Sequence, residues 1–227
     1  MMAMRVMART RLLRKMLILW MRSRQTFAAT FTIVDGENGA FVMEGSGHGV
    51  HAGGVHDGYY FIYQPISGDF DVHAFFEGPR DQNAAKTGIV FTTSSAVHPT
   101  GTGPTVGVMT HFSSAPSQFY KRAADSQPLT VHEFVTPKPF AGLWLRLQRK
   151  AGKFRAFTAT GRQSSSADAA WVPAKDAGWV DDLPPHGWIG FAVTSQNRAE
   201  HARVRVSNAG GLKVPHCEIP SALQCLP

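Results

Sequence analysis

Hydrophobic and polar residues alternate with a two-residue period in the stretch LWLRLQRK, residues 143–150. This period places the three leucines on one face of a β-strand, and it places Trp144 and Arg146 on the other face. The stretch FRAFTA, residues 154–159, alternates in the same way, and a short glycine-containing turn separates it from the first stretch. Two alternating runs joined by such a turn predict an antiparallel β-hairpin.

The same type of pattern recurs along the rest of the chain. Residues 31–34 and 41–43 flank a turn at 35–39 and predict another hairpin, while the aromatic run at 59–63 predicts a strand that is ended by the segment 65–68, which begins with Pro65. Further strand patterns cover residues 69–75, 87–91, 106–110, 118–122, 130–135, 188–193 and 202–206. No segment after residue 30 has sustained helical periodicity. Many short strands separated by turns predict an all-β sandwich of two antiparallel sheets.

A chain of 227 residues is long enough for one large β-sandwich with its own hydrophobic core. The strand patterns predict that this domain covers residues 31–207, after a basic N-terminal extension at 1–30 and before a C-terminal tail at 208–227. The tail contains Cys217 and Cys225. Two cysteines are too few for a disulfide framework. They are expected either to form one disulfide with each other or to be free thiols.

The formal net charge of +7 belongs to the N-terminal extension rather than to the predicted domain. Residues 1–30 contain seven basic side chains and no acidic one, so the rest of the chain carries sixteen basic and sixteen acidic residues. The seven basic residues are Arg5, Arg9, Arg11, Arg14, Lys15, Arg22 and Arg24. The extension is therefore the segment expected to contact RNA or an anionic lipid, whereas the domain has no net charge that would attract a polyanion.

An Arg-rich segment without acidic residues, with apolar residues between the charges, is typical of a mitochondrial transit peptide. A secretory signal is disfavoured because its apolar core, residues 16–21, has only six residues and is followed by Arg22 and Arg24. Six residues are also too few to span a bilayer. The sequence thus predicts a mitochondrial protein, and an uncleaved basic arm on a cytosolic protein is the alternative.

Several short motifs follow one another along the predicted strands. They are DGYYFIYQPISGDF at 57–70, GIV at 88–90, FYKR at 119–122, WLRLQR at 144–149 and GFAVTS at 190–195. Together they resemble the concanavalin A-like lectin/glucanase superfamily, and within it a domain of unknown function described as "regulation of enolase protein"-like. The resemblance covers about residues 31–207 and implies a jelly-roll sandwich of two antiparallel sheets. It also implies a concave face of the kind on which relatives in the wider superfamily hold sugars.

The chain departs from that family's pattern at positions that bear on ligand binding. Family members often carry a Trp in the loop before the aromatic strand, and His51 stands at that position here. The Arg-Glu pair that often follows Gly88 in the family is replaced by Phe91-Thr92-Thr93. The resemblance therefore makes His51 a candidate ligand-binding residue. The Arg and Glu that would have been further polar candidates are absent from this chain.

Glycoside hydrolysis needs two carboxyl groups roughly 5 to 10 Å apart. Glucanases of the resembled superfamily place such residues on one strand as Glu-x-Asp-x-x-Glu, and this sequence has no such run. Asp69 and Asp71 are two residues apart, but Asp69 lies in a Ser-Gly-Asp turn, where a turn-capping role is expected. We also find no P-loop and no dinucleotide-binding fingerprint. The sequence predicts a protein that is not an enzyme and needs no cofactor.

Trp144, Arg146 and Arg122 are candidates for one ligand-binding sheet face, with Tyr60 as a further aromatic residue. Aromatic rings stack on sugar faces, and arginine guanidinium groups bind carboxylates or phosphates. The alternative is that Trp144 belongs to the core and that the two arginines pair with acidic residues on neighbouring strands.

Three histidines and an aspartate crowd one glycine-rich loop, and such side chains can hold zinc. They are His48, His51, His56 and Asp57. Their spacing matches no standard zinc site, so the sequence predicts no metal.

Two hypotheses about function follow. The first is a non-catalytic accessory subunit of a mitochondrial assembly, such as a ribosome, a respiratory-chain complex or an ATP synthase, in which the basic arm and the loops contact other protein subunits or RNA. The alternative is a carbohydrate-binding, lectin-like module that uses Trp144, Tyr60 or Trp171 as its stacking platform.

Overall fold

The computed structural model describes residues 29–35, 40–50, 53–54, 58–78, 85–93, 103–111, 116–134, 142–161, 166–174, 183–196 and 200–212. The basic arm, His51, His56, Asp57 and both cysteines lie outside these residues, so the predictions that rest on them are not addressed by the structure. In the part of the chain that is described, no helix is long and apolar enough to cross a membrane.

Thirteen β-strands are found within the described residues. They are β1 (Ala29–Asp35), β2 (Ala40–Gly45), β3 (Tyr60–Ser67), β4 (Phe70–Glu77), β5 (Lys86–Thr92), β6 (Thr105–His111), β7 (Ser117–Arg122), β8 (Thr130–Phe134), β9 (Leu143–Lys150), β10 (Lys153–Thr160), β11 (Val172–Pro173), β12 (His186–Thr194) and β13 (Ala202–Gly210). One sheet has the order β1-β2-β13-β4-β9-β10-β11, and the other has the order β3-β12-β5-β6-β7-β8. We call them the seven-stranded and the six-stranded sheet.

The predicted hairpins are confirmed. Strands β9 and β10 pair in antiparallel register from Leu143 opposite Thr160 to Lys150 opposite Lys153. The turn between them consists of Ala151 and Gly152, which both have positive φ angles, of 49° and 80°. Strands β1 and β2 form the second predicted hairpin. Alternation and turn residues were therefore sufficient to predict these local pairings.

The two sheets pack face to face and bury one apolar core between them, as the predicted sandwich requires. The three leucines of β9 lie in this core, together with inward-facing residues of both sheets. These include Met43, Ile62, Val72, Phe76, Ile89, Phe91, Val108, Phe119, Phe154, Phe191 and Val204. The fold is thus an all-β sandwich of two antiparallel sheets, as the alternation predicted.

The prediction that the segment beginning with Pro65 ends the aromatic strand is wrong. Strand β3 continues through Pro65 to Ser67, and Pro65 pairs with Trp188 of β12. Proline is tolerated here because β3 lies at the edge of the six-stranded sheet, with β12 as its neighbour there. An edge strand can lack one backbone N–H donor without breaking a ladder between two strands.

Each sheet also has an apolar cluster on its outer face. On the six-stranded sheet this cluster contains Val50, Tyr59, Phe61, Tyr63, Val90, Met109, Tyr120, Leu129 and Ala192, with Trp188 packed against it. On the seven-stranded sheet it contains Phe75, Trp144, Ala159 and Ala169, with Trp171 packed against it. Most of the aromatic residues in these two clusters are buried, and Trp188 and Trp171 are the partly exposed ones.

Candidate functional site

The residues predicted to form one ligand-binding face are on different sheets. Trp144 and Arg146 lie in β9 of the seven-stranded sheet, whereas Arg122 lies in β7 of the six-stranded sheet. The prediction that all three share a face is wrong, because alternation within a strand does not reveal the sheet to which the strand belongs.

Arg122 fastens two loops to the six-stranded sheet. Its side chain is fully buried. Its Nε donates a hydrogen bond to the carbonyl oxygen of Gln127 at 2.9 Å, and its Nη2 donates to that of Gly54 at 3.3 Å. Backbone hydrogen bonds between Gly53, Gly54 and Leu129 join the same two loops. A guanidinium that is held inside the protein in this way stabilises the loops.

Tyr60 does not reach an outer face. It is half-buried and packs against the core between the sheets, on the side of β3 opposite to Phe61 and Tyr63. Burial raises the pKa of its hydroxyl above the ordinary value of 10.0. Tyr60 is therefore unsuited to be the stacking platform that the sequence suggested.

Trp144 is on the outer face of its sheet but is not accessible. Its exposed fraction is 0%. The ring of Phe75 lies 5.5 Å from its ring and the ring of Trp171 lies 6.2 Å away, measured between centroids, and Ala159 and Ala169 complete the cover. The prediction of Trp144 as a stacking platform is wrong, because the segment that ends in Trp171 covers its indole.

Arg146 pairs with a carboxylate on the neighbouring strand, as the alternative interpretation of the arginines expected. Its Nε donates to Asp71 Oδ1 at 2.6 Å, and its Nη2 donates to Asp71 Oδ2. The hydrogen bond to Asp71 is the largest of the effects that raise the pKa of Arg146. The other carboxylate of the predicted pair, Asp69, accepts a hydrogen bond from the backbone N–H of Ala151 at 2.9 Å. Both carboxylates are thus bound to neighbours within the protein.

Of the four side chains considered for a metal site, only His48 is described, and it is exposed. Within the described residues, no group of three or more His, Cys, Asp and Glu side chains is placed to hold a metal ion.

A cleft that the sequence did not predict lies at one end of the six-stranded sheet. It has a volume of about 500 Å³ and is lined by Pro65, Ile66, Ser67, Thr93, His186, Gly187 and Trp188. These residues belong to the end of β3, the start of β12 and the residue that follows β5. This volume lies in the range of ligand-binding sites, and the cleft is shallow and open to solvent. We call this feature the Trp188 cleft.

The indole of Trp188 is held in place by a row of aromatic rings on the outer face of the sheet. The ring of Tyr63 meets it edge to face, with centroids 5.2 Å apart. Phe61 stacks on Tyr63 at 5.0 Å, and Tyr59 meets Phe61 at 5.8 Å. Such contacts restrict the orientation of each ring. Trp188, which is half-buried, therefore presents a fixed aromatic surface to the cleft.

The polar groups of the cleft are uncharged hydroxyls and one imidazole. Ser67 Oγ lies 2.8 Å from His186 Nδ1, so that each of these side chains orients the other. The backbone of Thr93 is fixed by a hydrogen bond from its N–H to the carbonyl oxygen of Pro104 at 3.0 Å. Among the described residues, none that lines the cleft is Asp, Glu, Lys or Arg.

Sequence reasoning missed this cleft because its polar residues are far apart along the chain. Ser67 and His186 are separated by 119 positions and meet only because β3 pairs with β12. The single local signal was the proline within an aromatic strand, which marks β3 as an edge strand.

Lys86 forms a second polar feature on the outer face of the six-stranded sheet. Its Nζ donates to the carbonyl oxygen of Val50 at 2.7 Å and to Gln118 Oε1 at 3.0 Å. Gln118 in turn donates through Nε2 to Glu133 Oε1 at 3.1 Å. Burial lowers the pKa of Lys86 from 10.5 to about 8, and the charge of Glu133 opposes that change. Lys86 therefore holds the segment around Val50 against the sheet.

Comparison with known proteins gives the fold. No family model matches the chain, and no curated protein matches it either. Among solved structures, the chain is similar to a functionally unknown protein from Saccharomyces cerevisiae, with a TM-score of 0.57 and 13% identity over 80% of this chain and 94% of that one. It is also similar to a xylan beta-1,4-xylosidase from Bacillus halodurans, with a TM-score of 0.50 and 11% identity over 73% of this chain and 32% of that one.

At such identities the similarity shows the fold alone. The feature that the chain shares with these structures is the β-sandwich.

Proposed function

We propose that this protein is a non-catalytic carbohydrate-binding module and that a neutral saccharide binds in the Trp188 cleft. The observation that carries the proposal is the indole of Trp188, fixed by a row of aromatic rings beside a cleft of about 500 Å³. An immobilised aromatic surface binds the C–H face of a sugar ring at a small cost in side-chain entropy. We further propose that the chain belongs to the "regulation of enolase protein"-like branch, whose motifs it resembles.

The polar groups around Trp188 favour a neutral ligand. Ser67, Thr93 and His186 offer hydrogen-bond donors and acceptors to hydroxyl groups, and the described part of the lining has no Asp, Glu, Lys or Arg side chain. A charged sugar would lose hydration without meeting an opposite charge in the cleft. The described residues of the lining include no carboxylate, which favours a binding role over glycoside hydrolysis, a reaction that needs a pair of carboxyl groups.

Trp188→Ala is the variant that tests this proposal. A glycan array with the full chain first identifies a neutral ligand, and isothermal titration calorimetry then measures its affinity. Truncating a central aromatic residue typically costs about 2 kcal/mol of binding free energy, so we expect a Kd roughly 30-fold higher. We expect Trp188→Phe to retain part of the affinity because a ring remains.

The matched control is Val172→Ala, at an exposed apolar position of the other sheet, which should bind as the wild type does. Circular dichroism must show that each variant is folded. An array without any neutral saccharide, or an unchanged Kd in folded Trp188→Ala, contradicts the proposal.

An accessory subunit of a mitochondrial assembly is the second candidate function. The observation that favours it is the confinement of excess positive charge to residues 1–30, which lie outside the described residues apart from Ala29 and Thr30. Sedimentation of the endogenous protein with a large particle from a mitochondrial fraction is the expected result. Migration near its own mass of 24.7 kDa, or absence from mitochondria, contradicts this candidate.

A further inference from the structure

A second cluster of polar and aromatic side chains lies on the outer face of the seven-stranded sheet, on the other side of the sandwich from the Trp188 cleft. Strand pairing brings its members together: Asp71 is opposite Gln148, His73 is opposite Arg146, and Arg146 is opposite Phe157. Trp171 precedes β11 and contacts the same group. We call Asp71, His73, Arg146, Gln148, Phe157 and Trp171 the Arg146 cluster.

The guanidinium of Arg146 is fixed from several directions. Two of its nitrogens donate to the carboxylate of Asp71. Its central carbon lies 5.3 Å from the ring centroid of Phe157 and 5.4 Å from that of Trp171. Bidentate ion pairs and cation–π contacts both favour one orientation of the planar group. Arg146 is thus held in place before any ligand arrives.

The cluster still has hydrogen-bonding capacity that faces solvent. An arginine has five N–H donors, and among the described residues Arg146 uses Nε and Nη2 for Asp71 only. Gln148 uses its Nε2 on Asp71 at 3.1 Å, which leaves its carbonyl oxygen as an acceptor. The side chains of Arg146 and Asp71 are 25% and 38% exposed. Donors and acceptors therefore lie side by side next to the half-buried indole of Trp171.

The charges in the cluster favour a neutral ligand over an anion. Asp71 offsets the charge of Arg146, and an incoming carboxylate or phosphate would meet the partly exposed Asp71. Desolvation is the main cause that lowers the pKa of His73 below 6.5, opposed by Asp71 and assisted by Arg146. His73 is accordingly neutral at pH 7 and offers a donor and an acceptor rather than a charge.

We propose that the Arg146 cluster is a second saccharide-binding site, which takes a neutral pyranose with its vicinal hydroxyls on Arg146, Asp71 and Gln148 and its C–H face on Trp171. A fork of donors beside an acceptor matches two adjacent hydroxyl groups, and the indole matches the apolar face of the ring. The two sites lie on opposite outer faces, so a protein with both of them cross-links glycan chains. This inference rests on contacts independent of the Trp188 cleft.

The experiment uses the full chain labelled with ¹⁵N and follows the indole N–H signals, assigned by single Trp→Phe variants. The probes are neutral trisaccharides of glucose, xylose and mannose, with trigalacturonate as the charged comparison. We expect one neutral probe to shift the Trp171 signal in the wild type and in Trp188→Ala. We expect Trp171→Ala and Gln148→Ala each to weaken binding at this site about tenfold or more, while the Trp188 signal still responds.

The possible outcomes separate the two sites. A response of Trp188 without one of Trp171 overturns the second site and leaves the cleft proposal intact. A response of Trp171 that persists in Trp188→Ala supports the second site even if the cleft binds nothing. A Trp171 response to trigalacturonate that exceeds the response to every neutral probe overturns the proposed ligand class. Because Trp171 covers Trp144, Gln148→Ala provides the test if Trp171→Ala does not fold.

Discussion

Replacing Trp144 with alanine should lower the free energy of unfolding by about 3 to 5 kcal/mol, the usual cost of truncating a fully buried aromatic side chain. Trp144 has an exposed fraction of 0% and contacts Phe75, Trp171 and the two alanines that complete its cover. Alanine leaves a cavity under Trp171. Urea denaturation followed by far-ultraviolet circular dichroism measures the loss.

Val172→Ala is the comparison for this experiment, because Val172 is 55% exposed and lies next to the segment that covers Trp144. Its unfolding free energy should change by less than about 0.5 kcal/mol. The unfolding free energy of Trp144→Phe should lie between those of Trp144→Ala and Val172→Ala. If Trp144→Ala kept the wild-type stability but lost affinity for a saccharide, the indole would be a ligand platform and the buried position described above would be incorrect.

The strands could be predicted from the sequence because their determinants are local. The period of two in β9 and β10 identified the hairpin, its turn and the face that Leu145 shares with Leu147. Several predicted strand bounds differ from the observed ones by a few residues, and the error at Pro65 has a clear cause, since the effect of a proline depends on whether the strand is central or at an edge. That property is fixed by the pairing of β3 with β12, which residues distant in the chain provide.

The candidate site could be predicted only in part, for the same reason. Arg146 and Trp144 were placed correctly on one face, because both belong to β9. Arg122 was wrongly added, because nothing within β7 reveals that it lies in the other sheet. The burial of Trp144 depends on Ala169 and Trp171, which reach it from another segment. Alternation therefore predicted the orientation of each side chain relative to its strand but not what covers it.

The Lys86→Met variant should remove a pH dependence of stability that the wild type shows in alkaline solution. The folded pKa of Lys86 is about 8, below the value of 10.5 for an exposed lysine. Between these pH values the unfolded chain binds more protons, so the stability of the wild type relative to the variant rises with pH. Below about pH 8 the full cost of burying the charge is present, and above about pH 10.5 it is absent. We expect the unfolding free energy of the wild type, minus that of Lys86→Met, to rise by roughly 2 to 3 kcal/mol from pH 7 to pH 10.

Denaturation curves of the wild type and Lys86→Met at several pH values give this free-energy difference. The contributions of groups that titrate alike in the two proteins cancel in the difference. Lys86→Arg is the useful second variant, because arginine stays charged throughout this range and should lack the rise. Gln118→Ala removes one acceptor of the Lys86 amine and leaves the other, the carbonyl oxygen of Val50. The stability of this variant should therefore still rise with pH relative to Lys86→Met. A constant difference between the wild type and Lys86→Met from pH 7 to pH 10 would mean that Lys86 keeps an ordinary pKa. The contacts to Val50 and Gln118 would then not be made by a desolvated amine.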